Sequence, residues 1–270
     1  MLKAAGMILN RDNPKAVKCA EKAAAFLQKY AILSFDPSEE SVTEKPDLII
    51  TFGGDGTLLI GARYALKYDI PLLGINLGTV GFLTEEDPSH LETALTAIMQ
   101  SDYQIETRSL LCVKNTASDE TFYALNDAVI TRGGYARLIR VDSFVNSRVY
   151  GTFTADGIIV ATPTGSTGYS LSAGGPIMDP GMKGMIITPV CPHSMQHCPC
   201  IVPETADIRL LLNPEREQTA ELQIDGQNMG SLKAGDEIHV TGTERKIMLI
   251  RLHEYDFFGL LRRKLSEWGS

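Results

Sequence analysis

The sequence predicts two domains of different class. The first is an N-terminal α/β domain with a doubly wound, Rossmann-like parallel sheet. The second is a C-terminal β-rich domain. Two observations carry this reading. Up to about residue 100, short apolar runs alternate with stretches of helical spacing. Beyond it, short strand-like runs follow one another with glycine, proline and asparagine between them, and long helical patterns are missing. A chain of 270 residues can bury a sizeable core in each.

Taken in order, "AAGMIL" (4–9) is a short apolar run. "PKAVKCAEKAAAFLQKYA" (14–31) has helical spacing, with Pro14 suited to a first turn. "DLIITF" (47–52) is continuously apolar, the pattern of a strand buried on both faces. "TLLIGARYALKY" (57–68) reads as a helix with Thr57 at its N-cap. "IPLLGIN" (70–76) is a second buried strand, and "PSHLETALTAIMQ" (88–100) a helix. Strand-like runs then cover 121–132, 137–146, 148–163, 185–190, 207–213, 220–227, 236–242 and 246–252. "DFFGLLRRKLSEW" (256–268) returns to helical spacing and is expected to rejoin the first domain. The expected division is therefore 1–100 with 253–270, and 101–252.

Composition narrows the function classes. The net charge is −8, so a global basic field for nucleic acid or an anionic membrane is absent. An anionic ligand must then be held locally, by backbone amides and a few cations. No apolar run approaches the length of a membrane span, and the N-terminus does not read as a secretory signal. Five cysteines, an odd number, read as reduced thiols in a cytoplasmic protein.

Four motifs carry chemistry. In "TFGGDGTLL" (51–59), Gly53, Gly54 and Gly56 surround Asp55 where a buried strand hands over to a helix. That position is where ligands dock in open α/β sheets, and glycines let amides approach phosphate. The Gly-Lys-Ser/Thr ending of a P-loop is missing. A carboxylate there makes sense if it acts beside the phosphate, taking the proton of an attacking hydroxyl or helping to place magnesium. Gly53, Gly54, Gly56 and Thr57 form the expected phosphate loop; the bland alternative is a tight turn with an acid at a helix start.

"ATPTGSTGYSLSAGGP" (161–176) combines Thr162, Thr164, Ser166, Thr167 and Ser170 with Tyr169, Ser172 and four glycines. It reads as a ligand-facing segment that offers neutral donors to phosphates and sugars. In "LNDAVITR" (125–132) the Asn126 amide can read a base edge or a sugar, and Asp127 can accept from a ribose hydroxyl; a strand end or bulge is the other reading. Asp156 and Asp225 add acids, although Asp225-Gly226 alone signals a hairpin turn. "CPHSMQHCPC" places Cys191, His193, His197, Cys198 and Cys200 together, but their irregular spacing favours a loop with reduced thiols over zinc.

Together these strings resemble the NAD kinase family. "GGDGTLL", "INLGTVGFLTE" (75–85), "LNDAVI", "DGIIVATPTGSTGYSLSAGGPIMDP" (156–180), "CPH" (191–193) and Asp225-Gly226-Gln227 occur in the family's order and spacing, over essentially the whole chain. "GGDGT" alone also occurs in diacylglycerol and sphingosine kinases; the long 162–176 string separates them. The resemblance implies an NAD kinase/diacylglycerol kinase-like fold with the active site in the crevice between its domains. The implied reaction is magnesium-dependent transfer of phosphate from ATP or polyphosphate to the adenosine 2′-hydroxyl of NAD. It implies Asp55 as general base with Gly56 beside it. It places Asn126, Asp127, Arg137, Thr154, Asp156, Thr164, Thr167, Gly168, Tyr169, Ser170, Leu171, Ser172 and Gln227 at the dinucleotide. It implies a homodimer or homotetramer, a divalent ion held mainly by donor phosphates, and no nucleic-acid or membrane partner. A lipid kinase and a non-catalytic dinucleotide sensor are the rival classes. Four features depart from the family: Asp127 for the more usual Glu, Thr154 for Arg in some members, Gly168 for Ala, and "HCPC" for an Arg-Pro segment.

Overall fold

The computed structural model describes residues 2–39, 44–78, 81–133, 137–193 and 198–268. The chain divides into two compact units, residues 1–107 with 247–270, and residues 108–246.

The first unit is built on strands β1 (Ala4–Leu9), β2 (Leu33–Phe35), β3 (Leu48–Gly53) and β4 (Leu72–Asn76). All are parallel, in the order β2-β1-β3-β4, and residues 247–251 add a further parallel strand through Leu249 beside Leu72. Every residue of β3 is buried, as its unbroken apolar run requires. Helix α1 (Pro14–Lys29) starts on the Asn13 side chain, which accepts from the Lys15 N–H, and buries Ala16, Cys19, Ala20, Ala23, Phe26 and Leu27. Helix α2 (Asp55–Tyr68) follows β3 directly, and α3 (Leu91–Met99) follows a 3-10 turn capped by Asp87. The helix start expected at Thr57 is corrected: α2 begins at Asp55 with Gly54 at the cap position. Thr57 is instead packed on Gly53, where an added Cβ would stand 2.2 Å from its Oγ1. A C-terminal helix spans Phe257–Trp268.

The second unit holds two antiparallel sheets. Its strands are β5 (Gln104–Asn115, entering at residue 108), β6 (Glu120–Ala124), β7 (Asp127–Arg132), β8 (Ile139–Val145), β9 (Arg148–Ala155), β10 (Gly157–Ala161), β11 (Gly184–Val190), β12 (Cys200–Pro203), β13 (Ile208–Leu212), β14 (Thr219–Ile224), β15 (Gln227–Lys233) and β16 (Glu237–Arg251, leaving at residue 246). One sheet runs β16-β13-β8-β9, with the hairpin β5–β6 joined through β5. The other runs β12-β11-β10-β7-β14-β15. A single apolar cluster draws on both, from Val141 and Leu210 to Ile158, Val160 and Ile187. Ile159 and Ala161 alternate to the other face of β10 and pack in a smaller cluster with Met178. Segment 162–178 therefore covers a sheet face. It is not a plain loop: it contains a 3-10 turn, Thr164–Thr167, and a short helix α4 (Tyr169–Ser172).

Two expected single strands are each two strands. The run 121–132 breaks at Leu125–Asn126, and 148–163 breaks at Asp156. Strand β5 was not among the expected elements, although Ile105, Thr107, Ser109, Leu111 and Val113 alternate with the period of a strand.

Gly61 lets α2 lie against the sheet, because a Cβ there would stand 2.3 Å from Thr51 Cγ2 and 3.2 Å from Leu72 Cδ1. Alanine is favoured over glycine in a helix by about 1 kcal/mol. Overpacking a well-filled interior costs about 1–3 kcal/mol. The second effect wins here, since Thr51 is buried on β3. Gly61→Ala is expected to lower the urea midpoint, a net loss of about 1 kcal/mol; an unchanged or raised midpoint contradicts this packing.

Candidate active site

In the first unit, β3 ends in Gly53 and the chain turns at once into α2. An added Cβ at Gly54 or Gly56 would meet nothing within 4 Å, so the turn is open on that side while Gly53 is pressed against Thr57. No side-chain cap occupies the first turn of α2, the state in which its N–H groups can meet an anion. Asp55 is the first residue of that helix. Its Oδ2 accepts from the Phe82 N–H at 2.8 Å, and its Oδ1 from the N–H groups of Leu83 at 3.1 Å and Thr84 at 3.3 Å. Gly81 makes this approach possible, since a Cβ there would stand 2.0 Å from Asp55 Oδ1.

The second unit uses a similar device. Asp225 and Gly226 form the turn between β14 and β15 with φ of 48° and 76°, the left-handed pair that a two-residue hairpin demands. The Asp225 carboxylate accepts from the N–H groups of Leu125 at 2.9 Å, Asn126 at 2.7 Å and Asp127 at 3.2 Å. From the other side, Thr162 donates its N–H to the Asn126 carbonyl and its hydroxyl to the Leu125 carbonyl. Gly165 lies so close that a Cβ would stand 2.1 Å from the Asn126 carbonyl oxygen. The backbone at 125–127 is thus fixed on both sides, and Asp225 is committed to it.

The side chains carried by that backbone are less well served. Asn126 Oδ1 is buried without a hydrogen-bond partner. Asp127 is 5% exposed, and its carboxyl is pushed up to about 7, first by burial and then by the charge of Asp225. Both side chains lie beside Gly168, where an added Cβ would stand 3.7 Å from Asn126 Nδ2 and 4.0 Å from Asp127 Oδ2. Asp156 forms an ion pair with Arg132 Nε at 2.7 Å. The half-exposed Tyr169 has its hydroxyl pushed up by burial, then by Cys191, Asp156 and Asp127, which places these groups in one neighbourhood.

The expectation that the hydroxyls of segment 162–170 face a ligand is corrected for three of them. Ser166 bonds both the N–H and the carbonyl of Met178, Ser170 bonds Thr188, and Thr162 bonds Leu125; all three are buried. They anchor the segment on the sheet. Thr164 accepts from Arg108, and Thr167 donates to the Thr164 carbonyl. Ser172 is exposed and Leu171 half-buried. Gln227 opens β15 directly after the Asp225 turn, and the Thr154 carbonyl takes the His193 N–H at 2.8 Å. Arg137 is exposed and lines a different hollow, of about 580 Å³, with Glu215–Thr219.

Arg132 and Arg251, a buried arginine on β16, were missed by sequence reasoning. The available signal was a charged residue closing an apolar run, in "AVITR" and "IMLIR". The cysteines are free thiols. Among the described residues no group of three His, Cys, Asp or Glu side chains could hold a metal ion, and His197 lies outside those residues. Among the described residues no helix is long and apolar enough to cross a membrane.

Comparison with known proteins gives a consistent picture. Residues 12–103 match the model of the ATP-NAD kinase N-terminal domain, and residues 125–252 that of the C-terminal domain. The chain is 39% identical to an NAD kinase of Heliobacterium modesticaldum, over 97% of this chain and 98% of that protein. It is 42% identical to one of Carboxydothermus hydrogenoformans, over 83% and 81%. Among solved structures, yeast NADH kinase complexed with NADH superimposes with a TM-score of 0.88 at 26% identity, covering 98% of this chain and 88% of that one. An NAD kinase from Archaeoglobus fulgidus in complex with ATP gives 0.76 at 28% identity, over 97% and 98%.

The state of Asp127 sets a pH dependence. Its carboxyl titrates near 3.8 when unfolded and about 7 when folded. Between these values the unfolded chain has lost the proton and the folded chain has kept it, so stability falls as pH rises and levels off above the folded value. Asp127→Asn is expected to flatten this slope and to gain about 2–4 kcal/mol on the unaltered protein between pH 4 and 8. Urea unfolding across that range measures it; parallel stability curves for the two proteins refute the assignment.

Proposed function

This chain belongs to the NAD kinase family, and we propose that Asp55 is the general base for transfer of the γ-phosphoryl group of ATP, or of a polyphosphate phosphoryl group, to the adenosine 2′-hydroxyl of NAD. The observation that carries this reading is the Asp55 carboxylate at an open glycine turn, held by backbone N–H groups. A carboxylate oxygen has two lone-pair sites. Oδ1 receives two N–H bonds, while Oδ2 receives one, so Oδ2 keeps a site for the incoming proton. The open backbone of Gly54 and Gly56 and the uncapped start of α2 suit donor phosphates. The acid then serves the acceptor hydroxyl while the glycines serve the phosphate.

In the second unit, Asn126 and Asp127 are proposed to hold the dinucleotide. A buried amide oxygen without a donor is costly unless a ligand supplies one. An exocyclic amine or a ribose hydroxyl does so. Asp156, Gly168, Tyr169 and Gln227 surround or adjoin these residues and complete the proposed contacts, with Thr164, Thr167, Leu171 and Ser172 along the same segment. For Ser170, whose hydroxyl is bonded to Thr188, a contact would be made by the backbone.

The described residues offer no side-chain cage for a divalent ion. Magnesium is proposed to arrive on the donor phosphates, where it would offset their charge.

Asp55→Asn keeps the shape of the side chain and removes the base. It is expected to retain NAD binding and to lose about 10²- to 10⁴-fold in kcat. NADP formation from NAD, magnesium and ATP or polyphosphate, followed with an NADP-specific dehydrogenase, measures the rate. Turnover near that of the unaltered protein would remove Asp55 from the mechanism.

A further inference from the structure

The loop that holds Asp55 is itself held, residue by residue, by the segment after the last strand. Arg251 is 3% exposed, on the part of β16 within the first unit. Its Nη1 donates to the Leu83 carbonyl at 3.2 Å and to Glu85 Oε2 at 2.7 Å. Its Nε donates to Glu106 Oε2 at 2.6 Å, and its guanidinium lies 4.4 Å from the centre of the Tyr255 ring. Tyr255 in turn donates its hydroxyl to the Phe82 carbonyl at 3.3 Å. The other oxygen of Glu85 accepts the N–H groups of Leu252 and His253. The peptides whose N–H groups point at Asp55 thus have neighbouring carbonyls and a neighbouring side chain tied to residues 251–255.

We propose that Arg251, assisted by Tyr255, is a positioning residue for the general base: it fixes loop 82–85 so that three N–H groups orient the Asp55 carboxylate. This rests on the reading of Asp55 given above. A buried ion pair is a poor means of stabilisation, because apolar residues of the same volume serve as well or better. What the guanidinium supplies is geometry. It is a rigid planar fork that bonds a carbonyl and two carboxylates at once, which a lysine ammonium cannot reproduce. The burial of Arg251 opposes its charge, and Glu106 and Glu85 more than offset that. Loop 82–85 thereby gains a fixed support outside its own backbone. The energetic leverage is large because small displacements of a reacting group are costly, on the order of 100-fold in rate for about 1 Å.

The test compares full-length Arg251→Lys and Tyr255→Phe with the unaltered protein. Amide hydrogen exchange at Phe82, Leu83 and Thr84 reads the loop without any catalysis. Calorimetry gives NAD affinity, and steady-state rates give kcat and KM separately. For Arg251→Lys the expected result is faster exchange at these three amides and a kcat lower by about 10- to 100-fold, with NAD affinity and KM for NAD changed by less than about twofold. Tyr255→Phe, which removes one hydroxyl, is expected to give a smaller change of the same pattern. A structural role alone would lower stability and leave kcat per NAD-binding site intact. Unchanged kcat, or unchanged exchange, in folded Arg251→Lys overturns the proposal. If that variant does not fold, Tyr255→Phe decides, with unaltered exchange and kcat overturning it. If the unaltered protein makes no NADP, the functional reading fails, and the exchange rates still decide whether Arg251 fixes the loop.

Discussion

At the end of a buried strand the part-exposed carboxylate of Asp55 is held by the backbone of Phe82–Thr84 through three N–H bonds. Much of the local design of the first unit follows from those bonds. The strand must end in glycine so that Thr57 can close over it. Gly81 must lack a side chain so that the loop can reach the acid. The loop must be tied down, and Arg251, Glu85 and Tyr255 tie it. Turned inward, the acid leaves the glycines on the other side of the turn open. On the proposed reading the arrangement separates two functions that would otherwise conflict, since a bare carboxylate at a phosphate turn repels the phosphate.

Three aspartates show how far the surroundings decide what a carboxylate can do. Asp225 and Asp55 each receive three backbone N–H bonds. Asp225 spends them on holding residues 125–127 and sits in a turn that only a few residue types tolerate, so its work is structural. Asp127 lies on the very backbone that Asp225 fixes, is buried, and feels the charge of its neighbour. Its folded form holds a proton at pH values where an exposed aspartate would not. Residue type alone does not distinguish these three cases; burial, the neighbouring charge and the segment each carboxylate is bonded to do.

Much of the fold was legible because its signals are local. The unbroken apolar run at 48–53, the proline at the start of α1 and the Asp-Gly turn at 225–226 each have a mechanism that operates over a few residues. The strand break at 125–126 was legible only as one of two readings of Asn126-Asp127, because the group that fixes it, the Asp225 carboxylate, lies 99 residues along the chain from Asn126, and the break at 156 carried no local signal. Thr57 has the chemistry of an N-cap but is used for packing against Gly53. In the candidate site, composition identified segment 162–172, yet it could not say which hydroxyls face inward. Ser166 and Ser170 are indistinguishable from Thr167 and Ser172 until the sheet beneath them is known. Arg251 and Arg132 were overlooked because a single charge at the end of an apolar run is common, and only the carboxylates that converge on it give it meaning.

The charge balance ties these points together. With a net charge of −8, the protein has no general field that would draw an anionic nucleotide from a distance. The groups proposed for recognition act over a few ångströms: amides at an uncapped helix start, an unpartnered amide oxygen, and a carboxyl able to keep its proton. Such groups are effective only when held still, because dipoles and single hydrogen bonds lose their value with small displacements. That is why so much of the polar bonding around the candidate site is internal. Within the second unit the bonds of Thr162, Ser166, Ser170 and Asp225 fix the backbone and the segment beside Asn126, whose buried amide oxygen keeps no partner; within the first, Arg251 fixes the loop that bonds Asp55.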